Sequence, residues 1–194
     1  MGTDFSEAPT ARIRVQSARG GAGLASAVVA GALVAVGLGV FGRVHEPQFF
    51  AVNVAGFSSP VAVKSWLATL AMVLALFQLG SALAMYRLVP RHRVPAWVAP
   101  AHVWSGRLAV LATVPVAVHC LYALGFAGPD TRVLFHSLFG CFFYGAFVTK
   151  MLLLTRRGLA GWVIPVAGGV VFFALVYVWL TSALWFFQLN GLTL

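Results

Sequence analysis

Acidic residues are nearly missing from this chain. Four Asp and Glu stand against 13 Lys and Arg in 194 residues, and only 9% of positions are charged. A soluble domain carries about a quarter charged residues and at most about half apolar ones. Here 61% are hydrophobic and the mean hydropathy is +0.93. The shortage of charge excludes an ordinary soluble domain and a disordered chain, and the composition also excludes collagen and repeat solenoids. Cysteine is scarce as well. Cys120 and Cys141 are the only two, too few for a disulfide scaffold, and no C-x-x-C or C-x-x-C-H spacing is present for dithiol redox chemistry or covalent attachment of a prosthetic group. A net charge of +9 would point a soluble chain toward nucleic acid. In so apolar a chain it is first a topology signal, and no nucleic-acid partner is expected.

What is present is long apolar stretches. Five of them, Ala22–Phe41, Ser65–Val89, Ala101–Phe126, Val133–Leu154 and Gly161–Gln188, contain no Asp or Glu. Each is long enough to cross a hydrocarbon core of about 30 Å, which takes about 20 helical residues. Their uniform apolarity predicts helices rather than the alternating strands of a barrel. The expected fold is therefore an all-α integral membrane protein, with residues 1–20 a loose cytoplasmic tail and 21–194 a five-helix transmembrane bundle. Arg12, Arg14 and Arg19 precede the first span, Arg87, Arg91 and Arg93 follow the second, and Lys150, Arg156 and Arg157 end the fourth. Arg107 snorkels to the same side. Only Arg43, Lys64 and Arg132 fall on the other side. The positive-inside rule then places the N-terminus in the cytoplasm and the C-terminus outside a bacterial inner membrane. The first span is longer than a signal-peptide core and lacks an A-x-A site, so it reads as a retained anchor. Gly31, Gly37 and Gly39 suit it to close helix packing.

Titratable groups inside a membrane are costly and read as functional by default. His45 and His92 fall in predicted loops, where a solvated or headgroup-facing role suffices. His102, His119 and His136 lie within the third and fourth spans. His119 stands about seven residues before the third span exits and His136 about three after the fourth enters, so both sit at similar depth in the outer leaflet. Spans joined by a short loop are expected to be antiparallel neighbours. Two such imidazoles form the bracket that a six-coordinate b-type haem iron needs. Gly140, four residues after His136, would let a flat macrocycle approach the backbone, and Gly145 continues that thin face. Pro115 can bend the third span, and Arg132, at the interface, can meet a propionate. The residues leave other readings open: interhelical hydrogen bonding by the histidines, a Zn or Cu site built with Cys120, a proton relay, or a Cys120–Cys141 disulfide. His102 repeats the H-x-x-x-G spacing with Gly106 and marks a second, inner-leaflet candidate beside Arg107. No second histidine stands on the fourth span to pair with it, since Thr149 and Lys150 occupy those positions.

The run His102-x-x-x-Gly106-Arg107, Pro115-x-x-x-His119-Cys120, Arg132-x-x-x-His136-x-x-x-Gly140-x-x-x-Tyr144-Gly145 resembles small bacterial haem-binding membrane cytochromes b, similar in organisation to the ferric-reductase-like and ascorbate-type cytochrome b families. The resemblance covers about residues 64–157 and is architectural. It implies electron transfer through haem b, one or two per chain, with His119 and His136 matching the outer ligand pair and His102 an inner ligand without its partner. It also implies other membrane redox subunits, a Rieske-type or cytochrome partner outside, and quinone as an exchange partner. With no nucleotide-binding motif or nucleophile–base pair, a stand-alone enzyme is not expected. The alternative expectation is a haem-free accessory subunit of a membrane complex, suggested by the small size and the odd number of spans.

Overall fold

The computed structural model describes residues 8–88, 94–128 and 130–194, the side chains of 8–20 excepted. The expectations placed on His92, Arg91, Arg93 and the side chains of Arg12, Arg14 and Arg19 fall outside that description. The described residues are helical, with no strand: α1 (Ala8–Val44), α2 (Pro60–Met85), α3 (Val98–Val118), α4 (Thr131–Leu154), α5 (Val163–Trp179) and the short α6 (Trp185–Asn190). A π-helical turn, π1 (His119–Leu124), prolongs α3, and a second, π2 (Leu180–Leu184), joins α5 to α6. Five stretches are long and apolar enough to span a membrane: Gly21–Val44, Pro60–Met85, Val98–Leu124, Thr131–Leu154 and Val163–Asn190. The chain is thus a multi-pass membrane bundle. Helix α1 also reaches back to Ala8, into the stretch expected to be a loose tail.

The helix starts follow local chemistry. Ser59 Oγ accepts from the Ala62 amide at 3.1 Å and Pro60 sits in the first turn of α2, where its missing N–H costs nothing. Asp130 caps α4 by accepting from the Arg132 amide at 2.9 Å. Connections fall at two ends. The arginine-rich end carries the α2–α3 and α4–α5 links. The loop end carries the α1–α2 segment, the α3–α4 link and residues 191–194.

In space the helices run α3, α2, α5, α4, α1, and the end of α1 meets π1. Consecutive α3 and α4 are therefore not the packed neighbours that their short link suggested. Helix α4 is occupied by α1 on one side and α5 on the other. The first contact is built on glycine: a Cβ at Gly145 would collide with the Gly31 carbonyl and with Ala35. Such close backbone approach is the main source of helix association in lipid, where burial from water contributes little. Gly145 is thus spent on α1, not on thinning α4 for a ligand. On the other side Met72 and Ala75 of α2, Phe143 of α4, and Ala174 and Leu175 of α5 form a buried cluster. What remains between α3 and α4 is a gap.

Candidate functional site

That gap holds a cavity of about 360 Å³ in the half of the bundle nearer the loop end, within the size range of small-molecule and cofactor sites. Helix α4 contributes Arg132, His136, Gly140 and Tyr144 to its wall, and α3 with π1 contributes Thr113, Ala117 and Cys120. Helix α2 adds Lys64 and Ser65; α5, π2 and α6 add Trp179, Thr181 and Trp185. Tyr144 bridges the gap by donating from its hydroxyl to Thr113 Oγ1 at 2.9 Å, and Thr113 in turn donates to the Val110 carbonyl at 2.7 Å. A Cβ at Gly140 would meet nothing within 4 Å, so this position leaves open space on the wall.

His136 is oriented by π2. Its Nδ1 lies 3.1 Å from Thr181 Oγ1, and that hydroxyl lies 2.8 Å from the Tyr177 carbonyl. A hydroxyl has one hydrogen, and the carbonyl can only accept. With that hydroxyl donating back to the Tyr177 carbonyl, the partner at His136 is its Nδ1–H, which donates to Thr181; with the hydroxyl turned to the ring, Nδ1 accepts instead. The first arrangement is the one in which Nε2 keeps its lone pair, and it is the arrangement that a hydroxyl or carbonyl partner gives metal-binding histidines. Arg132 is held just as firmly. Its Nη1 donates to the Thr181 carbonyl at 2.7 Å, its guanidinium lies 3.9 Å over the Trp185 ring, and Asp130 stands 3.7 Å away. With Lys64, in the first turns of α2, it gives the cavity two cations at the loop end.

The other expected residues are placed differently. His119 is not on the cavity wall. It opens π1, and its ring stacks on Phe50 of the α1–α2 segment with centroids 5.7 Å apart. Its neighbour Cys120 lines the cavity instead. The structure therefore does not bring His119 and His136 together as it stands. Cys120 and Cys141 are both free thiols. His45, expected in a solvated loop, is sandwiched between Phe41 and Tyr122 at 4.9 and 4.5 Å, with Nε2 buried and unpartnered among the described residues. Gly106 accommodates a side chain, since its missing Cβ leaves room for the Gln78 amide. Arg107 is exposed and lies 5.0 Å over Trp104, away from the cavity. Among the described residues no group of three or more His, Cys, Asp or Glu side chains is placed to share a metal ion. Lys64, Ser65, Thr113, Trp179, Thr181 and Trp185 are wall residues to which the sequence assigns no site role. Lys64 is visible in the sequence as a cation at the membrane edge, where topology alone explains it. Thr181 carried no signal at all.

Fold and site together define a polytopic helical membrane protein with a largely apolar, cation-mouthed cavity in one half of its bundle. Over residues 24–194 the chain matches the family of unknown function DUF6529, and it belongs to that family. No curated protein and no solved structure matches it.

Proposed function

We propose that this chain is a membrane cytochrome that binds haem b in the cavity between α3 and α4, where His136 would hold the iron. The observation that carries the reading is a histidine, His136, on the wall of a cofactor-sized apolar cavity with its Nδ1 anchored 3.1 Å from the Thr181 hydroxyl. The donor set fits the group in three respects. A neutral imidazole is a haem-iron ligand. Arg132 and Lys64 supply positive charge at the edge where propionates would meet water. Gly140 leaves room for a flat ring. His119 as the second ligand does not fit in its present position. Bound haem supplies one-electron iron chemistry. The chain's own residues would anchor the imidazole through Thr181, meet the propionates with Arg132 and Lys64, and keep water out with Trp179, Phe143 and Tyr144. By the distribution of basic residues the loop end faces outward, so the cavity serves an external redox partner of Rieske or cytochrome type, within the inner membrane and as a subunit of a larger redox complex.

The haem-free accessory subunit is the second reading, and the stacking of His119 on Phe50 favours it, because that contact leaves the two-histidine bracket unassembled. A pyridine haemochrome assay on protein from haem-replete cells separates the two. Haem bound in the wild type, lost in His136→Ala and retained in His119→Ala is the result expected. A folded wild type without haem overturns the cytochrome reading and leaves the accessory one.

A further inference from the structure

The segment between α1 and α2 helps to close two helix ends. The Gln48 and Phe49 amides donate to the Tyr122 and Ala123 carbonyls of π1 at 3.4 and 3.1 Å, and the Phe126 amide of the α3–α4 link donates to the Gly42 carbonyl of α1 at 2.6 Å. These are among the carbonyls that a helix leaves unpaired at its C-terminus. The Phe50 ring then stacks on His119 at a centroid distance of 5.7 Å and meets Tyr122 at 5.9 Å. Phe49 takes a φ of +48° at this turn, a conformation that is costly for a bulky residue and is kept by the pairing around it.

These contacts fix the depth of the segment. His119 lies five residues inside the end of the third membrane-spanning stretch, at Leu124. That is up to about 7 Å below the end, at a helical rise of about 1.5 Å per residue. A side chain stacked on His119 is therefore at membrane depth, although the first span has already ended at Val44. The segment turns apolar side chains outward there. Phe49 is 76% exposed, Val52 61% and Val54 48%. On the elements it docks against, Phe41 and Val44 of α1 and Val118 and Tyr122 of α3 and π1 are exposed as well. No charged residue occurs between Glu46 and Lys64. The amide side chains bond to the segment's own backbone: Gln48 Nε2 donates to the Glu46 carbonyl at 3.1 Å, and Asn53 Oδ1 accepts from the Val54 amide at 2.9 Å.

We infer that residues 49–54 form a lipid-binding wedge in the interfacial layer of the leaflet at the loop end, with Phe49 as its anchor and Val52 and Val54 beside it against the acyl chains. Non-helical backbone is tolerated at membrane depth only where its polar groups are paired or meet water. Here the pairing with π1 covers the amides beside Phe50, and the head-group layer meets the rest. Aromatic and apolar side chains at that level are the usual interfacial anchors. A water-soluble protein is the poorer match, because Phe50 of the same segment lies below the end of the third span. The wedge ties the position of His119 to the lipid, and it does not depend on what the cavity binds.

The test is spin labelling of Val52→Cys and Val54→Cys, each in a Cys120→Ala, Cys141→Ala background, with the purified full chain in phosphatidylcholine nanodiscs. Val40→Cys, exposed on α1, is the lipid reference, and Ala160→Cys, exposed in the α4–α5 link, is the water reference. Relaxation by oxygen should exceed relaxation by a water-soluble nickel chelate at Val52→Cys and Val54→Cys, as at Val40→Cys, with the opposite order at Ala160→Cys. Adding Phe49→Glu to Val52→Cys should reverse the order there, because a carboxylate is rejected by the acyl layer. Phe49→Leu should keep it. Nickel-dominated relaxation at both labels puts the segment in water and overturns the proposal. So does a label that neither relaxant reaches, which means that protein covers the face. An order that Phe49→Glu leaves unchanged overturns it too, since Phe49 is then not the anchor. Should Phe49→Glu fail to fold, the two labels on the parent chain still decide.

Discussion

At the scale of single residues, the same device recurs at both ends of the bundle. A histidine near the start of one helix shares a hydrogen bond with a hydroxyl near the end of its packing partner, and the hydroxyl also lies within hydrogen-bond distance of a carbonyl one turn back. Ser81 serves His102 in this way and Thr181 serves His136. Such outer partners typically change metal affinity by about 10- to 100-fold. Thr181→Val keeps the shape of the side chain but removes the hydroxyl, so His136 Nδ1 loses its hydrogen-bond partner. Haem affinity should fall by about tenfold or more when haem is titrated into the apoprotein, with the helical circular-dichroism signal unchanged. An unaltered affinity would mean that Thr181 only fills space. His136 was legible from sequence because a polar group deep in an apolar span is conspicuous. Thr181 was not, because hydroxyls bonding back to their own helix are common and tolerated in lipid.

At the scale of elements, helix positions were readable to within a few residues because length and apolarity alone fix a span. Helix rotation was not. His119 and Cys120 differ by one position and so by about 100° around the axis, and only packing decides which of them faces the cavity. The π turn that starts at His119 adds to this. Its wider ladder changes the register of side chains, and the Tyr122 and Ala123 carbonyls take amides of Gln48 and Phe49 from the α1–α2 segment, at 3.4 and 3.1 Å. That docking holds Phe50 against His119. Adjacency also escaped the sequence. A short link predicted α3 beside α4, but the glycine seam with α1 claimed α4 first. Gly145→Leu tests the seam. The new side chain meets the Gly31 carbonyl and Ala35, and overpacking of this kind costs about 1–3 kcal/mol. Thermal unfolding in detergent should show a clearly lowered Tm. Gly140→Ala, on the same helix but facing open space, should leave Tm close to wild type. Equal effects at the two glycines would remove the seam from the account of the fold.

At the scale of the whole molecule, the decisive property is which end faces the cytoplasm, since it sets the partner that the cavity can meet. Among the described residues the basic side chains at the span ends divide as Arg87, Arg156 and Arg157 at one end and Arg43, Lys64 and Arg132 at the other, and by sequence Arg91 and Arg93 follow the second span with Arg87. Basic residues close to span ends are retained on the cytoplasmic side, so the loop end is expected outside. The three cations at that end then have a use other than topology, and two of them, Lys64 and Arg132, lie on the cavity wall. The orientation can be read with single cysteines placed in a background carrying Cys120→Ala and Cys141→Ala. Ser58→Cys sits exposed in the α1–α2 segment and Ala160→Cys sits exposed in the α4–α5 link. A membrane-impermeant maleimide applied to intact spheroplasts should label the first and reach the second only after lysis. The reverse pattern would turn the mouth of the cavity toward the cytoplasm. An external redox partner would then have no access to it, and Arg132 and Lys64 would face cytosolic anions instead, even if His136 still held a haem.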